Sequence, residues 1–177
     1  MSSQGPLPTE DFTRVFRDHP GGVCVVTADA GSGPVAMTVT SVASVSVDPP
    51  LLVFSVSDAS SSAPVLTSAA TVVVHFLGEE GLPVAKLGAT SGIDRFADRD
   101  AWTRLPGGEP LYHGARAWIR GRVTERLRAG TATLTVVEAL QSGSTAQATG
   151  EDAPLVYHHR SWHRLSEGSL LSAPQAI

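Results

Sequence analysis

Lysine and cysteine are almost missing from this chain of 177 residues. Lys86 is the one lysine among 13 basic residues, and the formal net charge is -4. Nucleic-acid binding rests on a basic excess that neutralises phosphates, and this composition provides none. Cys24 stands alone, which excludes an internal disulfide framework and a cysteine-based zinc cluster. Charged residues are only 17% while hydrophobic residues reach 42%, the reverse of the balance found in disordered chains. No apolar run approaches the ~18 residues of a membrane span. Met1 to Glu10 lacks the charged-then-apolar order of a signal peptide. The expectation is a soluble, cytoplasmic protein with neither nucleic acid nor membrane as a partner. Its length suits one domain, expected over 1–177, with a core of about 12–165 and flexible tails at 1–8 and 166–177.

What is plentiful is turn chemistry. With 17 Gly and 12 Pro, the chain is cut into short runs rich in Val, Thr and Leu. Thr9 is placed to cap a helix with Glu10 and Asp11 in its first turn and Phe12, Val15 and Phe16 on one face, ending at Pro20-Gly21-Gly22. Strands are expected over 23–28, 35–47 and 51–56, the first two as a hairpin around Gly31–Pro34. Asp48-Pro49-Pro50 forces a break before the third. A short helix follows at 60–68, a strand at 71–77 and a helix at 79–87. Residues 115–127 and 131–140 pair across Arg128-Ala129-Gly130, and 155–158 and 162–165 close the chain. Six or more strands with a few short helices point to a small, mainly β, antiparallel barrel.

Two polar clusters carry chemistry. In 37–46, Met-Thr-Val-Thr-Ser-Val-Ala-Ser-Val-Ser, period two puts Thr38, Thr40, Ser44 and Ser46 on one face, against Val39, Val45 and Val47 on the other. Such a hydroxyl face suits a planar, heteroatom-rich ligand; it also suits a strand that merely faces water. In 57–62, Ser-Asp-Ala-Ser-Ser-Ser opens a helix, where backbone N–H groups and hydroxyls suit a phosphate, although an ordinary cap needs one serine only. Arg95 can add a planar cationic fork to that site, or pair with Asp94 or Asp98 instead. No metal site is expected: His158, His159 and His163 have no carboxylate at a supporting spacing, and adjacent strand residues face opposite ways. Cys24, between apolar residues, reads as a buried small hydrophobe.

These segments, in this order, resemble the flavin reductase family, the small reductase component of two-component flavin-dependent monooxygenases. The resemblance runs from about Phe12 to Leu165. It is carried by His19–Ala28, by Met37–Val56 with its double proline, by the serines after Asp58, by Asp94–Trp102 and by Pro154–Leu165. It implies an FMN-binding split β-barrel of Greek-key type with short flanking helices, assembled as a homodimer and holding FMN or FAD without covalent attachment. Carried over residue by residue, Thr38, Val39, Thr40 and Ser41 would lie along the flavin ring. Ser55, Val56 and Ser57 would lie near the ring or ribityl chain. Ser60, Ser62 and Arg95 would hold the phosphate, with Phe96 packed beside them.

One departure from the family pattern concerns the reductant. Family members commonly carry Gly-Asp-His before a strand, a segment associated with the nicotinamide. Here the matching residues are Gly130, Thr131 and Ala132, and alanine has no donor to offer. His158, Arg160 and Arg116 are candidate substitutes. The resemblance implies an NADH- or NADPH-dependent flavin reductase that supplies a partner monooxygenase. The loss of the histidine keeps two others open: a flavin-binding protein with little NADH turnover, and a split-barrel oxidoreductase using another reductant or substrate.

Overall fold

The expected antiparallel strands are present in the computed structural model, which describes residues 5–144 and 152–171. In chain order, α1 (Thr9–Arg17) leads to β1 (Gly21–Gly22), β2 (Cys24–Asp29), β3 (Pro34–Val39), β4 (Ala43–Ser46) and β5 (Leu51–Ser57). Next come α2 (Ala63–Leu66), β6 (Thr71–Phe76), a 3-10 turn at Glu79–Gly81 and α3 (Leu82–Ala89). The chain continues through β7 (Trp102–Arg104), β8 (Pro110–Tyr112), β9 (Ala117–Ala129), β10 (Ala132–Ser144), β11 (Leu155–His158) and β12 (Ser161–Arg164).

Seven strands form one antiparallel sheet in the order β3-β2-β6-β9-β10-β5-β4. Its two edge strands, β3 and β4, are consecutive in the chain and joined by residues 40–42 alone. Four peptide steps from Val39 to Ala43 reach at most ~14 Å, so the sheet must curl until its edges nearly meet. The result is a barrel with a slit rather than a hydrogen-bonded ring. A small sheet, β1-β11-β12, and the β7–β8 hairpin lie outside it.

β2 shows why the barrel is covered on that side. Its residues Cys24, Val26 and Ala28 belong to one apolar cluster with Phe54, Leu66 and Val137, inside the barrel. Val25, facing the opposite way, joins a second cluster with Ala85 of α3, Phe96, Trp102 and Tyr112. Each buried valine contributes roughly 1.5–3 kcal/mol, so a strand apolar on both faces demands a layer on each. The buried His75 bridges the layers, donating from Nδ1 to the Val25 carbonyl and accepting the Tyr112 N–H at Nε2.

Several local expectations need correction. Pro8, not Thr9, is the N-cap of α1, without any side-chain cap bond. The strand expected over 35–47 breaks at 40–42, because its halves pair with opposite ends of the sheet: β3 with β2, β4 with β5. The hydroxyl face is therefore split, and Val45 and Val47, on the opposite face, are exposed. The helix expected over 60–68 is a single turn. Residues 167–169 form a 3-10 turn closed by a Ser166–Ser169 capping box, in place of a frayed tail; 172–177 lie outside the described residues.

Candidate functional site

Arg95 is the centre of a polar corner. Its guanidinium donates to the Ser62 hydroxyl at 3.2 Å, the Ser61 hydroxyl at 3.3 Å, the Thr90 carbonyl at 2.7 Å and, through Nε, the Leu87 carbonyl at 3.3 Å. All these partners are neutral. Among the described residues Arg95 makes no ion pair. Asp94 and Asp98, its alternative partners, instead accept the N–H groups of Phe96 and Asp100. A half-buried cation without a counter-charge is a natural seat for an anion.

The serines around it divide their work. Ser62 is fully buried and its hydroxyl donates to the Ala36 carbonyl at 2.8 Å, so that proton is committed. Its part toward an anion is to hold Arg95. The Ser60 hydroxyl accepts the Ser62 N–H, and Ser61 is exposed. Phe96 sits in the outer core rather than on the site, with its ring stacked 5.2 Å from Tyr112.

A strip along β3 joins this corner to a cavity. Ser62 bonds Ala36; two residues on, Thr38 donates to the Ala85 carbonyl of α3 at 2.6 Å. Two residues of strand span ~7 Å. Gly88 permits the close approach, since a Cβ there would stand 2.5 Å from the Thr38 hydroxyl. Thr38, Val39 and Thr40 then line a cavity of about 250 Å³ with Ala89, Tyr157 and Trp162. Because β3 is an edge strand, its outward N–H and C=O groups have no strand partner. Tyr157 and Trp162, outside the site residues that the sequence points to, are direct cross-strand partners with rings 4.8 Å apart. Their spacing across a two-residue turn is the signal that pairs them.

On the far side of the slit, Ser41 reaches β5 and accepts the Ser55 N–H at 3.0 Å. Val56 points into the core, fully buried, leaving its backbone alone for any ligand. Ser57 pairs in register with Ala132, and the Thr131 carbonyl accepts the Asp58 N–H at 3.0 Å. The Gly130-Thr131-Ala132 turn, with Gly130 at φ +59°, thus lies beside the start of the serine segment. His158 is placed elsewhere, lining a second cavity of about 360 Å³ with Thr40 and Tyr157. Burial pushes the Cys24 thiol up to about 12, which removes it as a nucleophile.

Residues 16–166 match the family described as flavin reductase like domain. The chain belongs to that family. The chain is 39% identical, over 87% of its length and 80% of the other chain, to an NADH:FMN oxidoreductase of Rhodococcus qingshengii. It is 30% identical, over 86% of its length and 79% of the other chain, to a 4-nitrophenol 4-monooxygenase/4-nitrocatechol 2-monooxygenase, reductase component, from Rhodococcus opacus. In structure it resembles an NADH:FAD oxidoreductase of Streptomyces globisporus solved with NAD and FAD fragments, with TM-score 0.80, 26% identity and coverage of 94% and 99% of the two chains. The donor set of the domain suits a flavin: an uncompensated arginine for phosphate, an open strand edge for the polar rim of a ring, and apolar and aromatic walls for its face.

Proposed function

We propose that this protein is an NAD(P)H-dependent flavin reductase that reduces FMN and passes the reduced flavin to a partner monooxygenase. The observation that carries this reading is the strip from Arg95 and Ser62 through Ala36 to Thr38. It runs along one strand edge from an arginine with neutral partners only to a cavity of about 250 Å³, the arrangement a phosphate and a flavin ring would need. Thr38, Val39, Thr40 and Ser41 would border the ring. Ser55, the Val56 backbone and Ser57 would border the ring or ribityl chain, and Ser60, Ser61 and Arg95 the phosphate. Ser62 and Phe96 position Arg95.

A bound flavin supplies the two-electron chemistry, while the protein supplies binding and orientation. Edge-strand backbone groups orient the ring, and the Tyr157–Trp162 wall excludes water from one side of the cavity. FMN is favoured over FAD because Arg95 serves a terminal phosphate, and the Rhodococcus relative is named for FMN. NADH is the reductant in the name of the Rhodococcus qingshengii relative, and the Rhodococcus opacus relative is named as the reductase component of a monooxygenase.

The reading extends to a single-domain cytoplasmic homodimer. Among the described residues no helix is long and apolar enough to cross a membrane. The support for the dimer is α1, which buries none of its residues and exposes Phe12, Val15 and Phe16. Light scattering that finds a flavin-loaded monomer at micromolar concentration would refute the dimer.

Ala132 favours a second reading, a flavin-binding protein with little NADH turnover. Anaerobic mixing of the flavin-loaded protein with NADH and with NADPH separates the two. Rapid bleaching of the flavin supports the reductase; a bound flavin that stays oxidised eliminates it.

A further inference from the structure

The closing hairpin departs from what its sequence spacing implies. His159 and Arg160 form its two-residue turn with φ of +50° and +61°, so His159 leaves the strand alternation and its ring comes 4.5 Å from that of His158. Asp18, the C-cap of α1, then arrives from the other end of the chain. Its Oδ1 contacts His159 Nε2 and lies 4.0 Å from His158 Nε2. One ligand atom from each of the three residues falls within 4.8 Å of the others.

We propose that Asp18, His158 and His159 form a binding site for a divalent transition-metal ion of the zinc, cobalt and nickel class. Tetrahedral bonds of ~2.0–2.1 Å require donors ~3.4 Å apart, which small side-chain rotations reach from the present separations. Two imidazoles with one carboxylate select this class over magnesium and calcium, which prefer oxygen throughout. Three protein ligands leave a fourth position for water, and His158 and His159 open on the 360 Å³ cavity that supplies it. The ligands are braced from behind: the His159 N–H donates to the Arg17 carbonyl at 3.3 Å, and the His163 ring hydrogen-bonds the His158 carbonyl. Arg17 and Arg160 line the same cavity, and their charge holds the affinity to the micromolar range. Because Asp18 and His159 are 141 residues apart, the unfolded chain offers no equivalent site, and metal binding stabilises the fold.

The test uses the tag-free full chain, titrated with Zn²⁺ against a chromophoric chelator and with Co²⁺ by visible absorption, and melted with and without Zn²⁺. One equivalent should bind, the unfolding midpoint should rise, and Mg²⁺ should do neither. Asp18→Asn, His158→Gln and His159→Asn should each weaken Zn²⁺ by at least ~10-fold and lose the midpoint rise. Asparagine tolerates the positive φ at 159, so that variant keeps the hairpin, as an unchanged circular dichroism spectrum would verify. A natural protein that fails to bind at ~100 µM Zn²⁺, or folded variants that bind as tightly as it does, would overturn the site.

Discussion

The Tyr112 hydroxyl donates to the Arg95 carbonyl at 2.6 Å, tying the outer core to the candidate phosphate seat. Tyr112 is 1% exposed, and Trp102 holds the next residue by donating from Nε1 to the Phe96 carbonyl. Burial pushes the Tyr112 phenol well above its ordinary value, so it remains a donor at any working pH. Tyr112→Phe keeps the stacked ring and removes the bond. Stability should fall by about 1 kcal/mol in urea unfolding. FMN affinity should fall several-fold while riboflavin affinity holds; equal losses for both would show that Tyr112 does not act through Arg95.

Arg95→Gln addresses the phosphate directly. Loss of a charge-assisted contact should weaken FMN by ~1.5–3 kcal/mol and leave riboflavin nearly unchanged. Ser62→Ala should behave differently, since its hydroxyl serves Ala36: it should cost about 1 kcal/mol of stability together with a smaller loss of FMN affinity. Fluorescence titration with both flavins measures each effect, and full FMN affinity in Arg95→Gln would remove the phosphate assignment.

By the family resemblance Ala132 would take the place of a histidine, and in the sheet it pairs with Ser57. A missing hydrogen bond to a ligand costs ~0.5–1.5 kcal/mol, or a factor of ~2 to 10 in affinity. NADH should therefore be used with a high apparent KM, and Ala132→His should lower it with FMN affinity unchanged. Saturation of the natural protein by micromolar NADH would show that other groups compensate.

His75 sets a pH dependence. Burial, the largest influence, lowers it from 6.5 to about 4, against the smaller opposing effect of its bonds to backbone. Between these values the unfolded chain binds the proton and the folded one does not, so stability is full above pH 6.5 and falls as pH drops toward 4. The loss should be about 3 kcal/mol by pH 4. His75→Gln, whatever its stability at neutral pH, should flatten this part of the profile measured by urea unfolding.

Strand content, the β2–β3 and β9–β10 hairpins, and the break at the double proline follow from local chemistry: β-branched runs pair, while glycine and proline interrupt them; the β9–β10 turn itself falls at Gly130 and Thr131, two residues past its expected start. The serine segment, Arg95 and the Thr38–Thr40 run were likewise readable, because side-chain type and order are properties of the chain. Folding decided what those residues are free to do. Whether Arg95 pairs with Asp94 or faces neutral groups, and whether Ser62 offers its proton or spends it on Ala36, depends on which backbone carbonyls arrive nearby. The split of 35–47 into two strands at opposite sheet edges comes from the curl of the sheet, a long-range pairing invisible to period two. So does the meeting of Asp18 with His158 and His159: spacing along the chain speaks for neighbours within one element, and a helix end brought against a distant hairpin is set only by how the elements pack.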